Sequence, residues 1–264
     1  MRWEELTAPE FARAVRKAKG ICIVPVGVIE KHGDHLPLGT DALYGHAVAA
    51  RAAELEPAVV FPPYCFGQIP EARHQPGTIA LSARLVNDLL GEVCAEIARN
   101  GLKKIVLLNC HGGNRFLLPF TKWMLERERD YVVYLIDLAA YYPFDDPGWK
   151  AMKETAVDGH GGEMETSGLL VTHPKLVKMG AISSKKSGMP RKRLKGLQGI
   201  YTAIDWYADQ PDHYKGDARA ASERKGRYVF GYHARRVAER LRAIKRDAVT
   251  PRLLREFYRR ARKP

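Results

Sequence analysis

Cysteine is scarce in this chain: four residues in 264, Cys22, Cys65, Cys94 and Cys110, scattered with no CxxC spacing. Three of them lie in apolar surroundings, and buried reduced thiols are the simplest reading. Long hydrophobic runs are also missing. The opening stretch MRWEELTAPEFARAVRKAKG is polar and helix-like up to Ile21, so neither a signal peptide nor a membrane span is expected, and a cytoplasmic location is. No Ser/Gly/Pro-rich linker, internal repeat or low-complexity segment divides the chain, so one domain over residues 1–264 is expected rather than two. Nor is there an RNP-like aromatic motif, a zinc finger or a helix-turn-helix signature to accompany the basic charge.

That charge is +13 overall, and it is uneven: residues 185–264 hold 23 Lys/Arg against 8 Asp/Glu. A basic third of this kind can attract an anionic or phosphorylated small substrate. Its plainer reading is the solvated face of long amphipathic helices, with nucleic acid not an expected partner. Hydrophobic content of 45% with 28% charged residues excludes disorder over the whole length.

Apolar runs alternate with helical patterns. Strands are expected over residues 20–28, 58–66 (broken by Pro62 and Pro63), 103–109 and 131–139. Helices are expected over 41–55, from Ser82 to Asn100-Gly101 along a Leu85, Leu89, Leu90, Val93, Cys94, Ile97 stripe, and around Pro119. This order implies an α/β fold with a largely parallel central sheet flanked by helices, and ligands are then bound beyond the carboxyl ends of the strands.

Three polar clusters lie where such ends are expected: IEKHGDHLPLGTD after the first strand, NCHGGN after the third, and DGHGGEMETS further on. In an extended segment Glu30 and His32 point the same way, and the turn-rich GDHLPLGT can bring Asp41 back to them. Carboxylate and imidazole donors without thiolate suit zinc, manganese, iron or cobalt, and a shared carboxylate is a normal way to hold two ions roughly 3.5 Å apart. A lone histidine such as His46 or His173 reads instead as a hydrogen-bonded loop residue.

In PVGVIEKHGDHLPLGTD, HQPGTIALS, NCHGGN, GHGGEMETS and, more weakly, GDARAASERKG, the chain resembles the creatininase (creatinine amidohydrolase) family, in that order from about residue 20 to residue 226. The resemblance implies a three-layer creatininase-like fold, two divalent metal ions per chain (zinc foremost, manganese or iron as alternatives), a homohexamer, and hydrolysis of a small amide, formamide, lactam or short peptide. Residue by residue it makes Glu30 and His111 ligands of one ion, His32 a ligand of the other and Asp41 the bridge. Gly113 stands where creatininase proper has the remaining ligand glutamate, and Glu163 is expected to take that role; Glu165 could compete for it but is read as a catalytic carboxylate beside the ligands. His160 is expected to carry the proton to the leaving nitrogen. Gly112, Gly113 and His74 are assigned to substrate, with the N–H groups of Gly161 and Gly162 as further oxyanion donors. The tryptophan expected just before HGG is replaced by Thr155, Ala156 and Val157, Trp149 does not align with it, and FGQIPEAR replaces the serine-bearing loop, so creatinine itself is not the expected substrate. Lactone hydrolysis at the same centre, and a nucleotide- or nucleic-acid-binding protein on a silent hydrolase scaffold, are the alternatives.

Overall fold

The computed structural model describes residues 1–138, 146–182 and 188–262. Four parallel strands, β1 (Ile21–Val26), β2 (Val59–Val60), β3 (Lys104–Asn109) and β4 (Val132–Asp137), lie in the order β2-β1-β3-β4. β1 pairs with β3 from Ile21↔Lys104 to Val26↔Asn109. Side chains alternate across the sheet as the two-residue period requires. Cys22, Val24, Val26, Ile105 and Leu107 face one layer, formed by α1 (Ala8–Lys17), α3 (Ala83–Arg99) and α4 (Leu117–Trp123). Ile21, Ile23, Val106, Leu108 and Ile136 face the other, formed by α2 (Thr40–Leu55) and α8 (Glu223–Arg246). Each fully buried Ile or Leu in these layers contributes about 1.5–3 kcal/mol, so the three-layer arrangement rests on the apolar runs legible in the sequence.

Local signals set the boundaries. Ser82 Oγ accepts from Leu85 N at 3.3 Å to start α3, and Gly101 (φ 88°) lets the chain leave it. The expected strand over 58–66 shrinks to two residues plus one bridge, Val26↔Tyr64, because Pro62 and Pro63 donate no ladder hydrogen bonds. Leu85 is exposed and Val86 takes its place in the buried face of α3. Pro119 sits in the first turn of the short α4, which tightens into a 3-10 turn at Met124–Glu126. The third polar cluster does not follow a strand: it leads into α6 (Glu163–Thr172), preceded by α5 (Pro147–Met152). Residue 139 and the loop residues 141–145 fall outside the described residues, as do 185–187 and 263–264 of the basic third.

The remaining helices are α7 (Asp205–Asp209) and α9 (Val249–Ala261). No described helix is long and apolar enough to cross a membrane. Some charges of the C-terminal third pair along helix surfaces, as in Arg227–Glu223, Arg236–Glu239 and Arg260–Glu256, which is how a solvated helix face behaves.

Candidate metal centre

β1 is flanked by β2 on one side and β3 on the other, so the connections leaving β1 and β3 diverge onto opposite faces and open a crevice beyond their carboxyl ends. Glu30 and His32 follow β1, His111 follows β3, and Asp41 lies in the first turn of α2. Residues 27–32 form no regular strand, yet Glu30 and His32 still converge, with His32 Nε2 3.9 Å from Glu30 Oε1.

Asp41 divides its carboxylate between two rings: Oδ1 is 3.2 Å from His32 Nε2, and Oδ2 is 3.1 Å from His111 Nδ1. Glu30 Oε1 lies 2.9 Å from the same His111 Nδ1. Glu165 Oε2 approaches His32 Nε2 to 3.8 Å while accepting from Gly161 N at 2.7 Å. The His160 ring stacks on His32 with centroids 4.0 Å apart, and its Nε2 donates to the Lys31 carbonyl at 2.7 Å. Gly161 (φ 68°) makes this possible, since a Cβ there would lie 3.0 Å from the carbonyl carbon of His32.

The electrostatics call for positive charge. Burial alone would raise the carboxyl groups, yet the surrounding imidazoles hold Glu30 well below its ordinary range and Asp41 below its own. Burial opposes the charged form of His32, but Asp41, Glu30 and Glu165 keep its pKa up at about 9, and Glu30 and Asp41 likewise raise His111. Burial pushes Glu165 up to about 7 and, with His32 nearby, His160 down to about 3. Buried acids that retain protons on neighbouring imidazoles mark a place where cations would be stabilised.

The donor set fits such cations. Glu30 Oε1, Asp41 Oδ2 and His111 Nε2 are buried and, among the described residues, take no hydrogen bond. Unsatisfied carboxylate oxygens at this depth cost free energy unless something meets them. Two groups of three potential ligands, Glu30–Asp41–His111 and His32–His160–Glu165, lie side by side there, with a third at Glu30–His160–His213. The cluster floors a cleft of about 640 Å³ whose walls include Arg115, Tyr201, Trp206 and Lys215.

Three sequence expectations are corrected by placement. Glu163 is fully buried but turned away: its carboxylate takes hydrogen bonds from Glu154 N, Thr155 N, Thr155 Oγ1 (2.6 Å) and Lys225 Nζ (2.5 Å). It and Glu165 are two residues apart at the start of a helix, about 200° around its axis, so they face opposite sides, and Glu165 is the one that reaches His32. His74 does not line the cleft: it is exposed, donates from Nε2 to the Pro211 carbonyl at 3.0 Å, and lies edge-on to Tyr207. Gly161 and Gly162 use their N–H groups on Glu165 and Gly159, whereas those of Gly112 and Gly113 make no hydrogen bond among the described residues. Gly113 is required by close approach, since a Cβ there would lie 2.3 Å from His111 Nε2. Trp149 is buried among Met164, Val229 and Tyr228, away from the cleft. His46 pairs with Glu4, and His173 contacts Thr172 at the end of α6.

Sequence reasoning missed His213, whose Nε2 lies 2.5 Å from Glu30 Oε2, and Trp206, whose indole Nε1 donates to His213 Nδ1 at 2.9 Å. Both lie in DWYADQPDHYK, just ahead of the weakest family block, and no spacing within that run marks either of them.

A parallel α/β sheet with a carboxylate–imidazole cluster at its switch point defines a class of hydrolase scaffold. The chain belongs to the creatininase family: the family's sequence model, described as creatinine amidohydrolase, matches residues 4–241. Creatinine amidohydrolase from Pseudomonas putida is 29% identical over 189 residues, covering 66% of this chain and 72% of that protein. The mycofactocin precursor peptide peptidase of Mycolicibacterium smegmatis is 28% identical over 247 residues, covering 89% and 90%. Among solved structures, a mutant creatininase described as Zn-Zn type superposes with a TM-score of 0.77 at 24% identity, covering 93% of this chain and 98% of that one.

Proposed function

We propose that this creatininase-family protein is a metal-dependent amidohydrolase that cleaves a C–N bond in a small amide, formamide, lactam or short peptide. The observation that carries the reading is Asp41, which presents one oxygen to each of two buried imidazoles while its Oδ2 remains without a hydrogen bond. Glu30 and His111 would hold one divalent ion, His32 and Glu165 the other, and Asp41 both; a relative of Zn-Zn type supports zinc as the first choice. Glu165 replaces Glu163 in this set because both oxygens of the Glu163 carboxylate already accept hydrogen bonds, Oε1 from Glu154 N and Lys225 Nζ and Oε2 from Thr155 N and Oγ1.

Bound there, divalent ions would lower the pKa of a water toward roughly 7 and polarise a substrate carbonyl. The chain's own groups supply the rest. His160 donates a hydrogen bond from Nε2–H to the Lys31 carbonyl, which leaves Nδ1 as the ring's proton-accepting atom; we assign proton transfer to the leaving nitrogen to that atom. The uncommitted N–H groups of Gly112 and Gly113 line the cleft and supply hydrogen bonds to a developing oxyanion. Trp206 forms part of one wall, its ring and that of His160 nearly perpendicular with centroids 5.4 Å apart. The cleft volume of about 640 Å³ suits a ligand larger than a single small ring.

The test is a screen of formamides, lactams, lactones and short peptides against zinc- and manganese-reconstituted protein, alongside His160→Asn. Hydrolysis of an amide that falls on the order of 10² to 10⁴-fold in His160→Asn, with metal content unchanged, supports the reading. Purified protein that binds no divalent ion, or turnover that survives chelation, sinks it.

A further inference from the structure

His213 stands beside the metal-centre candidates without an obvious reason to be a ligand, and the hydrogen-bond chemistry around it decides its role. An indole Nε1 can only donate. Trp206 Nε1 lies 2.9 Å from His213 Nδ1, so Nδ1 must accept and the proton of the neutral ring must sit on Nε2. That Nε2–H points at Glu30 Oε2, 2.5 Å away in a pocket where both side chains are 1% exposed. A ring fixed in this tautomer has no lone pair left on Nε2 for a cation, although Nε2 lies within 4.8 Å of potential ligand atoms on Glu30 and His160.

The segment carrying the ring is built to hold it there. His213 adopts a left-handed backbone conformation (φ 52°), uncommon for a side-chain-bearing residue. His74 Nε2 and Gln75 Nε2 both donate to the Pro211 carbonyl, at 3.0 and 2.8 Å, and the carbonyl of His213 accepts from Gly33 N at 3.2 Å. The exposed His74 thereby acquires a role that its sequence position does not suggest: it braces the turn that delivers His213.

We propose that Trp206 and His213 form a positioning relay that divides the work of the Glu30 carboxylate, His213 Nε2–H holding Oε2 so that Oε1 is aimed at the ion. This rests on the reading of the cluster as a metal centre. It accounts for the asymmetry of Glu30, whose Oε2 is satisfied while Oε1, beside His111 Nδ1, is not. Outer partners that fix a ligand's orientation are worth about 10–100-fold in metal affinity. Trp206 also lines the cleft, so a substrate seated against the indole touches the far end of the relay.

Two measurements test it, neither of them activity. Long-range ¹H–¹⁵N correlation spectra of the metal-free protein should show His213, identified by loss of its signals in His213→Gln, as the Nε2–H tautomer, and Trp206→Phe should convert it to a tautomer mixture. Isothermal titration with Zn²⁺ should show the ion held by Glu30 weakened about 10–100-fold in His213→Leu. His213→Gln should recover most of that loss, because its amide nitrogen can occupy the Nε2–H position. Circular dichroism confirms that each variant folds. His213→Leu binding Zn²⁺ as tightly as the unmodified protein, an Nδ1–H tautomer in the metal-free protein, or a His213 nitrogen that becomes metal-bound on loading would each overturn the relay. If the unmodified protein bound no Zn²⁺ at all, the metal reading would fail, and the tautomer spectra would separate that failure from a failure of the Trp206–His213 geometry.

Discussion

Replacing Lys225 with methionine removes the cation that neutralises Glu163. Both side chains are at most 2% exposed, and Lys225 Nζ has three protons and three acceptors: Glu163 Oε1, Glu154 Oε1 and the Ala220 carbonyl. Glu154 is 69% exposed, so that contact adds little, and the cost falls on Glu163, left as a buried carboxylate. Removing one partner of a buried pair costs about 3–5 kcal/mol. The N–H groups of Glu154 and Thr155 and the Thr155 hydroxyl still solvate the charge, which puts the expectation at the lower end, about 3 kcal/mol. In a chain of this size that lowers Tm by roughly 6–12 °C. Urea denaturation of Lys225→Met, Glu163→Leu and the double variant measures it. The double variant should regain only part of the stability, because it removes the buried charge but leaves the N–H groups of Glu154 and Thr155 and the Thr155 hydroxyl without their acceptor. Zinc content should be unchanged in every variant that folds. A loss below about 1 kcal/mol in Lys225→Met would refute the buried-strut argument, and loss of zinc in Glu163→Gln at full stability would return Glu163 to the metal.

Asp41→Ala should strip both ions, read by elemental analysis; retention of a full complement would end its bridging role, and loss of one ion would make it a ligand of that ion alone. His35 should make stability depend on pH. Burial pushes its pKa down to about 4, and its Nε2–H donates to Thr166 Oγ1, whose own proton goes to Gly161. The unfolded chain takes up this proton near pH 6.5. The contribution is therefore fully present above that pH and lost as pH falls toward 4, by about 2 kcal/mol. His35→Gln should flatten the pH dependence of the urea midpoint over that window, and an unchanged slope would contradict the argument. Gly45→Ala places a Cβ 2.2 Å from Cys110 Sγ where α2 crosses the exit of β3, and should cost about 1–3 kcal/mol by thermal denaturation. Cys110→Ala in the same background should restore part of it, and a neutral Gly45→Ala would show that α2 can shift.

The strands and helices that place the site were legible because their signals are local: the apolar run Ile21–Val26, the Ser82 cap, the Asn100-Gly101 stop. Glu30, His32 and His111 could be placed beyond the sheet for the same reason, each following a strand whose end the sequence marks, and Asp41 through the turn-rich run that leads into α2. The choice between Glu163 and Glu165 was not. Both open α6, and which one turns toward the cluster depends on Lys225, 62 residues further on, holding the other. His213 was invisible for a related reason: its meaning comes from Glu30 and from the indole of Trp206, and no spacing within its own segment encodes either contact. Charge alone left the basic third open to an anionic substrate beside its plainer reading as a solvated helix face, and among its described residues only Lys215 supplies a basic side chain to the cleft wall.

The contact between Glu30 and His213 spans 183 positions of chain. As the polypeptide is made from its N-terminus, the acidic half of the cluster exists long before the segment that orients it has been synthesised. A parallel sheet whose first strand pairs with its third already delays assembly, because distant segments must meet before any contact rewards them. The pocket cannot be completed before the segment carrying His213 is made. If the cluster holds the divalent ions proposed for it, an ion that arrived before that segment docked would meet a Glu30 carboxylate not yet held by His213.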